Sequence, residues 1–197
     1  MGRASLQAEK RTELLPIIAR AFTELGYRRT TTAELAQRCG VQENILYRLW
    51  PDKKAMFLAA IDYVFDLSEQ TWMRLLARDA DGESGARKLL AYESLHHGEF
   101  GHYRIIFTGL GEIDDPDIRD ALRRMFSRFH RFLHAQIVAH RRQGGRPDAP
   151  GGELAAWAAI GLGTVANIAR ELGLFSDEQR QRLITTIGRE LLEGDPR

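Results

Sequence analysis

Residues 30–50, TTTAELAQRCGVQENILYRLW, hold two short helix-forming runs on either side of a glycine. Helices this brief do not persist alone, since even ~12–15 residues are marginal in water. Each run must therefore pack against its neighbours, and Leu35, Ala36, Val41, Ile45 and Leu46 are the side chains suited to it. Trp50 wedges the pair against the helix that follows. Thr31 with Glu34 three residues on has the capping-box pattern, in which a hydroxyl and a carboxylate serve the free amides of a first turn. Cys39-Gly40 ends the first run and the second begins near Gln42. Short helix, tight turn, short helix is the helix-turn-helix outline.

The rest of the chain is also helical in pattern. Leu14, Leu15, Ile17, Ile18, Ala21, Phe22 and Leu25 form a stripe that stops at Gly26. A long helix from Asp52 to about Arg78 carries Phe57, Ile61, Val64, Phe65, Trp72 and Leu75 on one face, and an Asp- and Gly-rich loop at 79–83 follows. Next come a helix over Ser84–His97 and a less regular stretch through Tyr103, Ile106 and Phe107. Asp115 caps a helix with Pro116 at its first position, which runs to Arg142 before QGGRPDAPGG breaks it. A helix rich in Ala and Gly spans about 153–172, and the last begins at the Ser176–Gln179 capping box. No strand pattern or repeat competes. The expectation is an all-α chain of about nine helices, with a helix-turn-helix domain over 1–51 and a larger helical domain over 52–197.

Composition narrows the function. Net charge is +1, but residues 1–60 carry ten Lys/Arg against six Asp/Glu, so the basic excess lies with the helix-turn-helix. The single cysteine, Cys39, excludes an internal disulfide and fits a reducing cytoplasm, the expected location. No signal-peptide pattern opens the chain. The longest uncharged stretch, Leu154–Ala169, is sixteen residues, short of the ~20 that cross a bilayer, so no membrane partner is expected. His130 and His134 stand at i, i+4 with His96, His97 and His102 nearby in sequence, yet no Cys or close carboxylate completes a zinc-like set. No phosphate loop, nucleophile elbow or metalloprotease motif is present, and neither an enzyme nor a cofactor is expected.

The order of parts resembles the TetR family of bacterial transcriptional regulators. The likeness is specific in the first sixty residues, through ELGY, TTTAELAQRCGV, ILYRLW and PDKKAMF, and beyond them rests on helix order. It implies a double-stranded DNA operator, an inducing ligand held among the fourth to eighth helices, and a homodimer built by the last two helices as a four-helix bundle. It also implies phosphate contacts by Tyr47 and Lys53. The chain departs from the family at Gln42, where a small or hydroxylated residue is usual, at Asn44, often glycine, and at Leu49, usually aromatic or His. Leu49 cannot donate a hydrogen bond to a phosphate.

On a helix entering the major groove from its N-terminal end, Gln42, Glu43, Asn44 and Arg48 are the side chains placed to reach base edges. Asn and Gln pair with adenine, Arg with guanine, and Glu accepts from cytosine. Glu43 serves equally well as an acid favoured by the helix dipole. Tyr47, flanked by Arg48 and Lys53, suits a phosphate better than a packing role. Arg28 and Arg29 either meet phosphate or are solvated, and Thr31 and Thr32 complete the candidate interface.

For the ligand, the candidates are Phe65, Trp72, Tyr92, Tyr103, Phe107, Phe126 and Phe129, with His130 as a polar handle on the side of its helix shared by Phe126 and Phe129. Each ring alone is more simply explained as core. For the dimer, Ala155, Ala156, Ala159, Gly163 and Ala166 permit close helix approach, while Leu183, Ile187 and Leu191 need cover. The resulting expectation is a homodimeric repressor released by a small, largely apolar ligand. The alternatives are a DNA-binding protein whose second domain only dimerises or binds a protein, and a helical carrier that has lost DNA binding.

Overall fold

The computed structural model describes residues 3–77, 82–99, 101–146 and 151–194. The loop expected at 79–83 and the break at 143–152 lie partly outside them. The described residues form nine helices and no strand: α1 (Arg3–Leu25), α2 (Thr32–Cys39), α3 (Glu43–Leu49), α4 (Lys53–Leu76), α5 (Gly85–His96), α6 (Arg104–Leu110), α7 (Pro116–Gln143), α8 (Gly152–Glu171) and α9 (Asp177–Glu193). The stretch read as irregular around Tyr103–Phe107 is the short helix α6, too brief for its periodicity to register in the sequence. Two compact units result. One comprises Met1–Leu67 with Phe100–Met125, the other Ser68–Glu99 with Phe126–Arg197.

In the first unit α1 packs on α2, α3 and α6, and α2 packs on α3. Its buried side chains come from each helix of the expected stripes: Leu14, Ile18 and Phe22 from α1, Leu35 and Ala36 from α2, Leu46 from α3, Met56 and Phe57 from α4. Phe57 meets the rings of Phe22 and Tyr27 at 4.9 and 4.8 Å. Asp115 caps α7 as its sequence position demands, accepting from the amides of Asp117 (2.9 Å) and Ile118 (3.4 Å).

The second unit packs α9 on α5 and α8, around Ala86, Ile137, Ala155, Ala156 and Leu192. The end of α9 is clamped by guanidinium groups. Arg141 donates to the carbonyls of Leu191 and Leu192, Arg146 donates to that of Glu193, and the Glu193 carboxylate accepts from Arg87 at 2.9 Å and from Arg146. Those two guanidiniums, Arg87 first, hold the Glu193 carboxyl down to about 2. Ser84 Oγ stands 2.7 Å from His140 Nδ1, whose other nitrogen faces Glu193 at 3.4 Å. This row is not a hydrolytic triad. Ser84 is buried, and its hydroxyl caps α5 by accepting from the Arg87 amide.

Candidate nucleic-acid interface

The turn between α2 and α3 depends on Gly40, whose φ of 64° is left-handed and open to glycine at no steric cost. Its amide bonds to Gln37 O at 3.1 Å and the next amide, of Val41, to Ala36 O at 3.0 Å. These close α2 and launch α3. The capping box at Thr31 is half formed: Thr31 Oγ1 accepts from the Glu34 amide at 3.2 Å, but the Glu34 carboxylate takes Arg38 Nε at 2.6 Å instead. A guanidinium is a stronger partner than a neutral amide. Arg38 also holds Glu24 at 2.5 Å, and with both acids beside it the guanidinium is removed from the pool of DNA-facing cations.

Helix α3 has two faces. Leu46, Leu49 and Trp50 are buried, while Gln42, Glu43, Asn44, Tyr47 and Arg48 are exposed. Leu49, one of the departures from the family pattern, is thus a core residue, and its carbonyl accepts from Arg11. The exposed residues divide further. Gln42, Glu43, Asn44 and Arg48 make no side-chain hydrogen bond or ion pair among the described residues. The surrounding candidates are engaged. Tyr47 donates its hydroxyl to Thr32 Oγ1 at 3.1 Å, which sets two hydroxyls side by side at the start of α2. Lys53 donates to the carbonyls of Tyr27 (3.1 Å) and Thr30 (3.0 Å) and lies 4.5 Å from the centre of the Tyr27 ring. One of its three N–H groups is left over.

Arg28 pairs with Glu112 at 2.7 Å, and that carboxylate pushes the guanidinium further above its usual range. Arg29 reaches back to the Leu25 carbonyl at 3.0 Å. Sequence reasoning passed over Lys54, which pairs with Asp117 (2.5 Å) and Asp115 (3.2 Å) and is raised well above the ordinary lysine range by them. The acids of the α6–α7 corner thereby take up two cations, Arg28 and Lys54, that the basic excess of residues 1–60 had counted towards DNA. The signal was the GEIDDPD run itself, whose four acids lie among residues 112–117.

The aromatic ligand candidates are distributed over both units. Phe65, Tyr103 and Phe107 belong to the first, where the rings of Tyr103 and Phe107 stand edge to face at 6.4 Å. Trp72, Tyr92, Phe126, Phe129 and His130 belong to the second. There Trp72 stacks on Phe132 at 4.9 Å and meets Phe129 at 5.7 Å, with its indole N–H donated to Glu93 at 2.6 Å. Tyr92 instead sits against His96 at 4.7 Å. His130 turns to α8, with its ring 4.7 Å from that of Trp157 and Nε2 3.1 Å from the Glu153 carbonyl. A cavity of about 160 Å³ does lie in the second unit, but none of the eight candidates lines it. Among the described residues no three His, Cys, Asp or Glu side chains gather as a metal site.

Helix α8 presents the opposite face from the one its sequence suggested. Ala155, Ala156 and Ala166 are buried in the chain's own core, and Gly163 lies against the His97 ring, where an added Cβ would come within 2.9 Å. Exposed instead are Leu154, Trp157, Val165, Ile168 and Leu172, with Gly161 open to space between them. The sequence reading gave the small residues to contact with a second copy, whereas they permit close approach within the chain. On α9 Ile187 is exposed and Leu183 and Leu191 are half-buried, while Ile184, Gly188 and Leu192 face inward. By length and composition α8 is also apolar enough to cross a membrane, with a mean hydropathy of 1.2 over an 18-residue window of its 20 residues, because the helix extends beyond the uncharged stretch.

Residues 17–60 match the bacterial regulatory proteins of the tetR family. The chain is 30% identical over 144 residues to the nucleoid occlusion factor SlmA of Citrobacter koseri, covering 71% of each, and 29% identical over 148 residues to that of Pectobacterium carotovorum, covering 73% of this chain and 74% of the relative. Its fold is similar to that of a TetR-family transcriptional regulator from Cytophaga hutchinsonii, with a TM-score of 0.77, 16% identity and 97% of each chain covered. The chain belongs to the TetR family. It is a DNA-binding transcriptional regulator and not an enzyme.

Proposed function

We propose that the protein is a homodimeric, cytoplasmic regulator, in the simplest case a repressor, that reads a two-fold operator with α3 and is released by a small, largely apolar ligand. The observation that carries the DNA reading is the set of four exposed, uncommitted side chains, Gln42, Glu43, Asn44 and Arg48, on a seven-residue helix whose other face is buried. Polar groups with no partner among the described residues are free to pair with base edges: Gln42 and Asn44 with adenine, Arg48 with guanine, Glu43 with cytosine. Tyr47, Thr31, Thr32, Lys53 and Arg28 form the positioning rim. Phosphate contacts fix register, and their groups benefit from being held in place beforehand.

A single helix-turn-helix covers one half-site, so a two-fold partner is needed for a full operator. The exposed apolar face of α8, with Ile187 of α9, supports a second copy as that partner. Burying a contiguous apolar stripe from water is the driving force expected of an obligate interface, and it accounts for that face without a bilayer. The DNA-binding unit then spans 1–51 in function, with 52–197 serving ligand and dimer.

A second reading, in which the C-terminal part docks a protein instead of a small ligand, is favoured by the mutual packing of Trp72, Phe129 and Phe132, which fill space an apolar inducer would need. Two measurements test these readings. Selection from a random duplex pool should return a two-fold symmetric site; sequence-independent retention would reject the operator reading. Native mass spectrometry of the purified dimer should reveal a bound small molecule. Its absence, together with unchanged operator binding across cell extracts depleted of protein, would favour the second reading.

A further inference from the structure

The cavity in the second unit lies where the end of α5, the C-terminal half of α8 and the first turns of α9 meet. Its chemistry differs from that of the aromatic candidates. Its lining includes the apolar side chains of Leu95, Ala166 and Ile184. It also includes two guanidinium groups in unequal states. Arg180 is committed, donating to Asp177 and to the Phe175 carbonyl at 3.4 Å, so its charge is offset. Arg170 is half-buried and its side chain has no hydrogen bond or ion pair among the described residues, and the exposed side chain of Gln181, which also lines the cavity, is likewise uncommitted. His97 offers nothing further, because both ring nitrogens are engaged, with Glu93 at 2.7 Å and with the Gly163 carbonyl at 2.9 Å.

A partly desolvated guanidinium without an acceptor is costly, and a carboxylate is the planar partner that its fork fits. Counting Arg170, Arg180 and Asp177, the lining carries one net positive charge, which matches a monoanion. The volume of about 160 Å³ holds roughly five water-sized groups, enough for a carboxylate with a short hydrocarbon tail. We propose that this cavity binds a short aliphatic monocarboxylate, with its head on Arg170 and Gln181 and its tail on Leu95, Ala166 and Ile184. Occupancy would join α5, α8 and α9 through one ligand. The site is independent of the operator reading and of an apolar inducer, and either can fail without it.

Calorimetric titration of the full-length protein with sodium butyrate, against matched sodium chloride, tests the site. Butyrate should bind while butyramide, which lacks the charge, should not. Formate should bind more weakly by about fourfold for each methylene it lacks. Arg170→Gln should weaken butyrate about tenfold or more, and Arg170→Lys should restore part of that loss, with unchanged circular dichroism in both variants. The site is refuted if butyrate does not bind, if Arg170→Gln binds it as the parent does, or if formate and inorganic phosphate bind as tightly as butyrate.

Discussion

Helices α3 and α8 each leave one face without a partner among the described residues, and the two faces are chemical opposites. On α3 the open face is Gln42, Glu43, Asn44 and Arg48, all polar and all uncommitted. On α8 it is Leu154, Trp157, Val165, Ile168 and Leu172, all apolar. An uncommitted polar face is stable in water and gains from a partner only where donors and acceptors match, so it encodes specificity. An exposed apolar stripe gains from almost any dry cover, so it encodes association. A regulator needs both: a face that discriminates and a face that pairs two discriminators.

The largest expected effect comes from charging the apolar face. Val165→Glu sits on the surface of one chain, so the fold of that chain should shift by no more than about 0.5 kcal/mol. In a two-fold pair the substitution buries two unpaired carboxylates at about 3–5 kcal/mol each. Sedimentation should show monomer where the parent is dimeric, and operator affinity should collapse with it. A Val165→Glu dimer as tight as the parent would reassign the face of α8.

On the polar face the expected loss is smaller and selective. Asn44→Ala should cost ~1–3 kcal/mol on the preferred operator and little on mismatched DNA, relaxing choice at one base pair per half-site. Binding to a panel of single-position operator variants reads this directly. A loss equal on every sequence would mean that Asn44 only shapes the start of α3.

How far these faces could be read from sequence depends on what creates them. Helix positions, the Gly40 turn and the buried row Leu35, Ala36, Leu46 follow from local spacing, and sequence alone located them. The polar face of α3 was legible for the same reason, since a seven-residue helix with one apolar side has only one other side. Commitments between distant residues were not legible. Nothing local announces that Lys53 will bind the carbonyls of Tyr27 and Thr30, or that Arg28 will find Glu112. On α8 the small-residue composition was legible and the facing was not, because both of its sides are apolar or small and only packing against the neighbouring helices decides between them.

The α8 face is useful only if its support is firm, and Glu193 tests that support. Its carboxyl is held at about 2 by Arg87 and Arg146, against an ordinary 4.5. A carboxyl depressed by folding stabilises the native state fully above pH 4.5, and the contribution drains away as pH falls toward 2. The side chain is 42% exposed, so solvent screening limits its worth to about 1 kcal/mol. Glu193→Gln should therefore melt a few degrees below the parent at neutral pH, with the gap closing as acid protonates the parent's carboxyl. A gap independent of pH would assign the loss to packing instead of charge.

The smallest effect concerns the rim of the polar face, where Glu112 holds Arg28 at 2.7 Å. The Arg28 side chain is 79% exposed, so the pair itself is worth ~0–1 kcal/mol and Glu112→Gln should leave stability nearly unchanged. Its consequence lies in DNA binding, because a guanidinium paired to a carboxylate competes poorly for phosphate. If the pair survives in the parent complex, Glu112→Gln frees Arg28 for a phosphate, and the plot of log K against log salt steepens by about 0.9 for each phosphate newly neutralised. If Arg28 already exchanges Glu112 for phosphate on binding, affinity rises on all sequences alike while the slope stays as in the parent. If neither affinity nor slope moves, Arg28 belongs to the fold of the α6–α7 corner and not to the rim, and the positioning set contracts to Tyr47, Thr31, Thr32 and the one free N–H of Lys53.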